Sequence, residues 1–220
     1  MKQQPGEIER ESLAIIRTEL ERRGIAVPEE NAAVTLRCIH ASADFDYAET
    51  LRFTPNAVSR AVQALLGGAT IVTDTNMALA GVSKSGLRKL GGEAFCFMAD
   101  VRIAEAAKQN GTTRAAASVN HAATAFPHAV FAVGNAPTAL FRLAEIIEDG
   151  LRPSLVIGVP VGFVNVVESK ERILQVCADA DVPAIIALGR KGGSSIAAAV
   201  CNALIYTAAG MLDPKDRGWD

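Results

Sequence analysis

Short runs of branched apolar residues alternate with longer stretches of helical periodicity along this 220-residue chain, and this alternation limits the folds that it can adopt. Apolar runs bounded by glycine and loop residues are typical of strands that are buried on both faces. Strands separated by helices predict βαβ units in a parallel sheet. The predicted strands are residues 70–73, 94–97, 129–133, 155–159 and 184–188.

Apolar residues at helical spacing predict three helices before the first strand. Four more helices are predicted later: three lie between the second and the fifth strand, and one follows the fifth strand. We therefore expect one α/β domain over residues 1–210, with a mainly parallel five-stranded sheet and an N-terminal helical layer. Residues 211–220 form a polar C-terminal tail that we expect to be loose. The predicted helices are residues 7–23, 29–41, 55–66, 114–125, 138–148, 169–178 and 195–208.

Composition excludes several classes of protein. Half of the residues are hydrophobic and the formal charge is −2, which predicts a folded core and argues against a broad nucleic-acid surface. The start of the chain lacks an apolar signal segment, and Pro160 and two glycines interrupt the longest apolar run, so we expect a soluble protein with no membrane partner. Four scattered cysteines without a C-x-x-C pair indicate reduced thiols in a cytoplasm and no metal site.

Among the three histidines, His40 is the candidate for proton transfer near neutral pH. It follows Arg37 by one helical turn and precedes small residues that leave room beside the imidazole. A histidine near a helix end is more often a cap stabilised by the helix dipole, so the residue pattern alone leaves this alternative open. His121 and His128 flank an ordinary helix end and strand start, and we interpret both as structural.

The loops that open at Asp74, Gly134, Pro160 and Gly189 after predicted strands are candidate ligand sites, because ligands of parallel sheets bind beyond the carboxyl ends of the strands. In residues 134–138 the backbone amides and Asn135 would face the crevice, although an ordinary strand-to-helix turn fits equally well. Residues 158–163 predict close approach of backbone to a flat ligand, or a plain tight turn. Residues 189–195 combine glycines, two cations and a helix start, which is typical of an anion site. They lack the Walker A pattern, and the chain has no G-x-G-x-x-G motif, so we expect no nucleotide cofactor.

Taken together, these segments resemble the precorrin-8X and cobalt-precorrin-8 methylmutases of corrin biosynthesis, from about residue 7 to residue 208. The resemblance implies a three-layer flavodoxin-like fold, a homodimer with active sites at the subunit interface, and an isomerase. It further implies that the enzyme moves a methyl group from carbon 11 to carbon 12 of the tetrapyrrole without a cofactor. The matching residues are Glu11 and Ser12, Arg37, Ile39 and His40, and the segments 111–114, 134–140, 158–164, 168–170 and 189–194.

The resemblance also assigns roles to single residues. His40 falls on the proton donor and acceptor of the family, and the run 43–47 is more like the cobalt branch, so we expect cobalt-precorrin-8 as substrate and cobyrinate as product. Leu13 and Ser42 depart from common family residues without touching the proposed chemistry. The metal-free precorrin-8X reaction, a non-catalytic tetrapyrrole carrier and a phosphate-binding protein remain alternatives. The expected substrate-binding residues are Ser12, Arg37, Thr112, Arg114, Asn135, Arg190, Lys191, Gly193 and Ser194.

Overall fold

A twisted sheet of six strands organises the computed structural model, which describes residues 4–218. Reading across the sheet, the strand order is β1-β6-β5-β4-β2-β3. All neighbouring pairs are parallel except β1 and β6, which are antiparallel. The strands are β1 (Leu51–Phe53), β2 (Ile71–Thr73), β3 (Ala94–Phe95), β4 (Val130–Val133), β5 (Leu155–Gly158) and β6 (Ala184–Ala187).

The five predicted strands are confirmed, but the expected strand number is wrong because β1 adds a sixth strand at one edge. Every residue of β4, β5 and β6 is buried, as their apolar runs predict. By contrast, β1 is three residues long with Leu51 buried and Arg52 exposed. Such a short alternating segment at a sheet edge carries little sequence signal.

Helices cover both faces of the sheet, and the seven predicted helices are confirmed with small shifts at their ends. The sequence pattern missed four shorter α-helices and one 3₁₀ helix, which have too few turns for a clear periodicity. The helices are α1 (Pro5–Arg22), α2 (Glu29–Ser42), α3 (Tyr47–Thr50), α4 (Ala57–Leu66), α5 (Asn76–Gly81), α6 (Lys84–Lys89), α7 (Val101–Gln109), α8 (Arg114–Ala125), α9 (Pro137–Glu148), α10 (Val166–Asp179), α11 (Ser194–Ala208) and a 3₁₀ helix (Pro214–Arg217).

Two apolar cores lie on opposite faces of the sheet because successive strand side chains point to opposite sides. Val130 and Ala132 of β4 face one core together with residues of α2, α4 and α11. Phe131 and Val133 face the other core with residues of α8, α9 and α10. The N-terminal helices thus form the expected layer, with α1 packed on α2 and contributing Ile16 and Leu20.

The C-terminal tail is ordered over its described part, so the expectation of a loose tail is wrong for residues 211–218. Met211 is buried in the first core, and Asp213 accepts a hydrogen bond from Arg10 of α1 at 3.0 Å. Arg217 donates to Glu9 of α1 at 2.8 Å. The tail therefore packs on α1, while Trp219 and Asp220 lie outside the described residues.

Candidate active site

The carboxyl ends of the parallel strands form the edge where the predicted loops meet. From β2 the chain continues to β3 on one side, whereas β4 lies on the other side of β2. A crevice opens where connections leave in opposite directions, and ligands of open α/β sheets bind there. The loops that begin at Asp74 and Gly134 therefore flank the crevice, and those that begin at Pro160 and Gly189 continue along the same edge.

Asp74 is a buried carboxylate that the sequence marks only as the first residue of a candidate loop. It accepts hydrogen bonds from the backbone amides of Gly134, Asn135 and Ala136 at 2.8, 2.8 and 2.7 Å. Burial raises the pKa of Asp74, and these three bonds oppose that rise by stabilising the carboxylate. The expectation that these amides face a ligand is wrong, because Asp74 occupies them. Asn135 is exposed and can use its side-chain amide for binding.

The glycine-rich loop between β6 and α11 contacts the three neighbouring loops. Ser194 Oγ lies 2.7 Å from Thr75 Oγ1, and the Gly193 amide donates to Val159 O at 2.8 Å. A Cβ atom on Gly134 would come within 2.9 Å of the Gly193 carbonyl oxygen, so the two backbones touch. Gly192 has φ +156°, and a Cβ atom there would lie 2.1 Å from Val159 O. Glycine is required at Gly192 by both conformation and space.

The two cations of this loop have different surroundings. Arg190 is exposed, and its guanidinium lies 5.6 Å from the ring centre of Phe163. Lys191 pairs with Asp44 and Asp46 at 2.7 and 2.5 Å. Hydrogen bonds to these two carboxylates raise the pKa of Lys191 well above its ordinary value. Arg190 can thus turn to an anionic ligand without breaking an ion pair in the described part of the chain. Lys191 instead links the loop to the segment after α2.

His40 lies in the last turn of α2 at this same edge. The first residue of β1 pairs with Ala187 at the end of β6, so the chain before β1 lies at the carboxyl edge. The bonds from Lys191 to Asp44 and Asp46 agree with this placement. The His40 side chain is exposed and makes no hydrogen bond with the residues that the structure describes. It is therefore open to a ligand.

The other two histidines have structural contacts. The His121 ring packs edge-on against Phe97, with 4.7 Å between centroids. His128 Nδ1 lies 3.3 Å from the carbonyl oxygen of Arg152.

Thr112 and Arg114 lie beside the loop that follows β4. Thr113 Oγ1 donates to Thr138 Oγ1 at 3.0 Å, which joins the start of α8 to the start of α9. Arg114 is exposed and donates to the carbonyl oxygen of Met98 at 3.3 Å. Both helices begin at the carboxyl edge, so the structure brings Thr112 and Arg114 to the same edge as Asn135.

Ser12 and Arg37 belong to a different cluster in the α1–α2 layer. Ser12 Oγ donates to Ile8 O within its own helix at 2.7 Å. Arg37 is 13% exposed and donates to Glu9 at 2.7 Å, while its guanidinium lies 5.0 Å from the ring centre of Tyr206. No hydrogen bond or ion pair joins either residue to the glycine-rich loop within residues 4–218. Within one chain, the contacts of both residues that the structure describes are with other residues of the α1–α2 layer and with Tyr206.

Glu9 is another functional candidate that sequence patterns missed. Burial would raise its pKa, but hydrogen bonds and charges from Arg217 and Arg37 outweigh that effect and hold the pKa below its ordinary value. The second partner comes from the far end of the chain, which no local pattern shows.

Exposed apolar side chains are concentrated along the carboxyl edge. Each of the five residues concerned lies in a segment that directly follows a parallel strand, and Phe163 is 82% exposed. Large exposed apolar patches mark binding surfaces. The five residues are Met77, Val101, Val161, Phe163 and Val164.

The fold and this edge define an α/β protein with a candidate ligand site at the carboxyl ends of its parallel strands. Within residues 4–218, no helix is long and apolar enough to cross a membrane, and no three His, Cys, Asp or Glu side chains gather as metal ligands. The model of the precorrin-8X methylmutase family matches residues 7–207. The chain belongs to that family and is an isomerase of cobalamin biosynthesis.

Individual relatives support this membership. The chain is 46% identical to the cobalt-precorrin-8 methylmutase of Salmonella typhimurium, over 79% of this chain and 80% of that protein. It is 40% identical to the precorrin-8X methylmutase of Pseudomonas aeruginosa, over 90% and 93% of the two chains. A solved structure of the Thermus thermophilus precorrin-8X methylmutase superposes with a TM-score of 0.81, at 39% identity over 92% of this chain and 98% of that chain.

Proposed function

We propose that this protein moves a methyl group from carbon 11 to carbon 12 of cobalt-precorrin-8, which yields cobyrinate. The observation that carries the proposal is the chemistry of the carboxyl edge, which has exposed apolar side chains and also the exposed Arg114, Asn135 and Arg190. A macrocycle with acetate and propionate arms needs a broad apolar surface for its ring and separated cations and amides for its carboxylates. The edge supplies both.

His40 acts as the general acid in this proposal. A [1,5]-sigmatropic methyl shift moves one carbon–carbon bond within the same molecule, so atoms and electrons balance without a redox partner. Protonation of the conjugated system lowers the barrier, and the proton returns to His40 once the methyl group has moved. The exposed imidazole at the end of α2 has no hydrogen-bonding partner among the described residues that it would have to leave first.

The metal-free conversion of precorrin-8X to hydrogenobyrinate is the second candidate. The similarity to the Pseudomonas aeruginosa precorrin-8X methylmutase favours it, since that identity approaches the one with the cobalt enzyme of Salmonella typhimurium. We prefer the cobalt branch because of the residue run 43–47.

The finer features of the fold and assembly are part of the same proposal. Without the antiparallel edge strand β1, the order across the sheet is β3-β2-β4-β5-β6. Numbered along the chain, these five parallel strands have the order 2-1-3-4-5, which supports a flavodoxin-like topology. The exposed apolar edge and the exposed Ile8 and Ile15 of α1 support a homodimer. A single domain over residues 1–210 and a cytoplasmic location remain predictions.

The decisive experiment mixes the purified protein separately with cobalt-precorrin-8 and with metal-free precorrin-8X and follows the visible spectrum. Formation of the corrin chromophore from the cobalt substrate at the higher kcat/KM supports the proposal. A faster reaction with precorrin-8X would instead establish the second candidate. Tight binding of both compounds without a spectral change over many hours would indicate a carrier and contradict the enzymatic proposal.

A further inference from the structure

Lys170 is a fully buried lysine without a carboxylate partner among the described residues. It lies near the start of α10 and has no exposed surface. Burial lowers its pKa to about 8. A cation near a helix N-terminus is also disfavoured by the helix dipole. An apolar side chain of similar length would avoid both unfavourable effects. The hydrogen bonds of the Lys170 ammonium therefore indicate a role beyond filling space in the core.

The Lys170 ammonium binds the backbone of the glycine-rich loop from the buried side of that loop. Lys170 Nζ donates to the carbonyl oxygens of Gly189 and Lys191, each at 2.8 Å. The carbonyl oxygen between them, that of Arg190, accepts a hydrogen bond from the Gly162 amide at 3.2 Å. Three consecutive carbonyl groups of the loop are therefore bound, two of them by the buried Lys170 of α10 and one by the loop that follows β5.

The orientation of the carbonyl groups fixes that of the amides. In a planar trans peptide the C=O and N–H bonds point in opposite directions. The N–H groups of Arg190 and Gly192 therefore point away from Lys170, and that of Lys191 points away from the Gly162 amide; among the described residues these three groups donate no hydrogen bond. Free backbone amides at a loop surface can donate to an anion. Arg190 is exposed beside them.

We propose that Lys170 is a positioning residue that holds the carbonyl groups of Gly189 and Lys191 inward, so that the free amides of residues 190–192 are available to a carboxylate of the substrate. The inference rests on the proposed function for the identity of that carboxylate. Lys170 itself does not touch the ligand, since it is buried beneath the loop. Its effect on the reaction is on substrate affinity, because a carboxylate arm is held equally in the substrate and in the transition state.

The test replaces the ammonium by an uncharged chain of similar length in Lys170→Met, and by a shorter neutral donor in Lys170→Gln. Lys89→Met, on the exposed face of α6, is the matched control for loss of one positive charge. We expect Lys170→Met to raise KM and the Kd of the corrin product about tenfold, with kcat within about threefold of the wild type. The control should leave all three unchanged.

Amide hydrogen exchange supplies a measurement that does not depend on turnover. In Lys170→Met, exchange should accelerate at Gly162 and Gly193, whose amides bond across the loop, while the strands β4 and β5 keep their protection. Lys170→Gln should show the same pattern with smaller changes.

Unchanged KM and Kd in a folded Lys170 variant would overturn the proposal. Faster exchange throughout the sheet, or failure of both variants to fold, would assign Lys170 to general stability and overturn it equally. A wild-type protein without turnover would contradict the proposed function instead, and the exchange experiment would still decide whether Lys170 holds the loop.

Discussion

Glu9 joins three parts of the chain through one carboxylate. Arg37 of α2 donates to it at 2.7 Å, Arg217 of the tail donates at 2.8 Å, and both guanidinium groups lie against the ring of Tyr206. Because removal of one member of a buried charge cluster leaves the others uncompensated, this carboxylate contributes more to stability than a surface ion pair does.

Glu9 should make the stability of the fold depend on acidity. Its pKa in the folded protein is below the ordinary value of 4.5, so its contribution is complete above that pH and is lost as the pH falls through the folded pKa. We expect Glu9→Gln to lower the free energy of unfolding at pH 7 by roughly 1.5–3 kcal/mol and to weaken its decline below about pH 4.5. Urea unfolding at several pH values measures both effects. Glu21→Gln, on the exposed face of α1, is the control, and equal curves for the two variants would contradict this prediction.

His40 carries the proposed proton transfer, and its exposed position allows a clean substitution. We expect His40→Asn to lower kcat on the order of 10²–10⁴-fold, the usual contribution of general acid catalysis, with little change in product affinity or melting temperature. Single-turnover spectroscopy with saturating substrate measures the loss. His128→Asn is the control, since His128 is also exposed but lies outside the candidate site. Near-normal turnover of His40→Asn would remove this residue from the mechanism.

At the scale of single residues, the sequence predicts a candidate binding site when the residues that form it are consecutive in the chain. The glycines, cations and serine of residues 189–194 mark a loop by composition alone, and the structure places that loop at the carboxyl edge. The local sequence around Asp74, Glu9 and Lys170 does not reveal the contacts that these side chains make. The amides that Asp74 binds lie about 60 positions later, and a partner of Glu9 is 208 positions away. Only the folded chain shows these contacts.

At the scale of elements, the glycine-rich loop offers a matched pair of substitutions. Gly189 and Gly192 both have positive φ, but a Cβ atom on Gly189 meets nothing within 4 Å, whereas one on Gly192 would lie 2.1 Å from Val159 O. We expect Gly192→Ala to displace the loop and weaken binding of the corrin product at least tenfold, while Gly189→Ala shows only the cost of its backbone conformation, about 1 kcal/mol. Product titration and urea unfolding of both variants measure the difference. Equal product affinities would show that this loop does not reach the ligand.

The elements differ in how well the sequence predicts them, and the reason is length. Helices of twelve or more residues, such as α9 and α10, show their apolar face through several turns. Strand β1 has three residues, and its partner β6 lies far along the chain, so the pairing that makes it a strand is invisible locally.

At the scale of the whole molecule, the separation of the predicted ligands is informative. Arg190 lies at the carboxyl edge, but Arg37 is held by Glu9 in the α1–α2 layer. We expect from the proposed homodimer that the Arg37 and the Arg190 that bind one substrate molecule come from different subunits. An interface related by a two-fold axis would then create two equivalent shared sites.

Mixed dimers test this arrangement. We expect Arg37→Met and Arg190→Ala to be weakly active alone at low substrate concentration, and a refolded equimolar mixture to recover about one quarter of the wild-type sites. Recovery follows because each mixed dimer carries both substitutions in one site and none in the other. Sedimentation of the same samples checks that dimers form. Dimers without recovery would place both arginines in the same subunit's site.

The pairing of β1 with β6 also determines when this edge of the sheet can form during synthesis of the chain. Residues 51–53 bond to residues 185–187, and α2 packs on α11, the last long helix. At roughly 5–20 residues per second, a ribosome needs on the order of ten seconds to supply these late partners. Until then the apolar sides of α2 and α4 lack the cover that α11 provides, so nascent chains that stop before β6 should be cut readily by protease throughout residues 29–66.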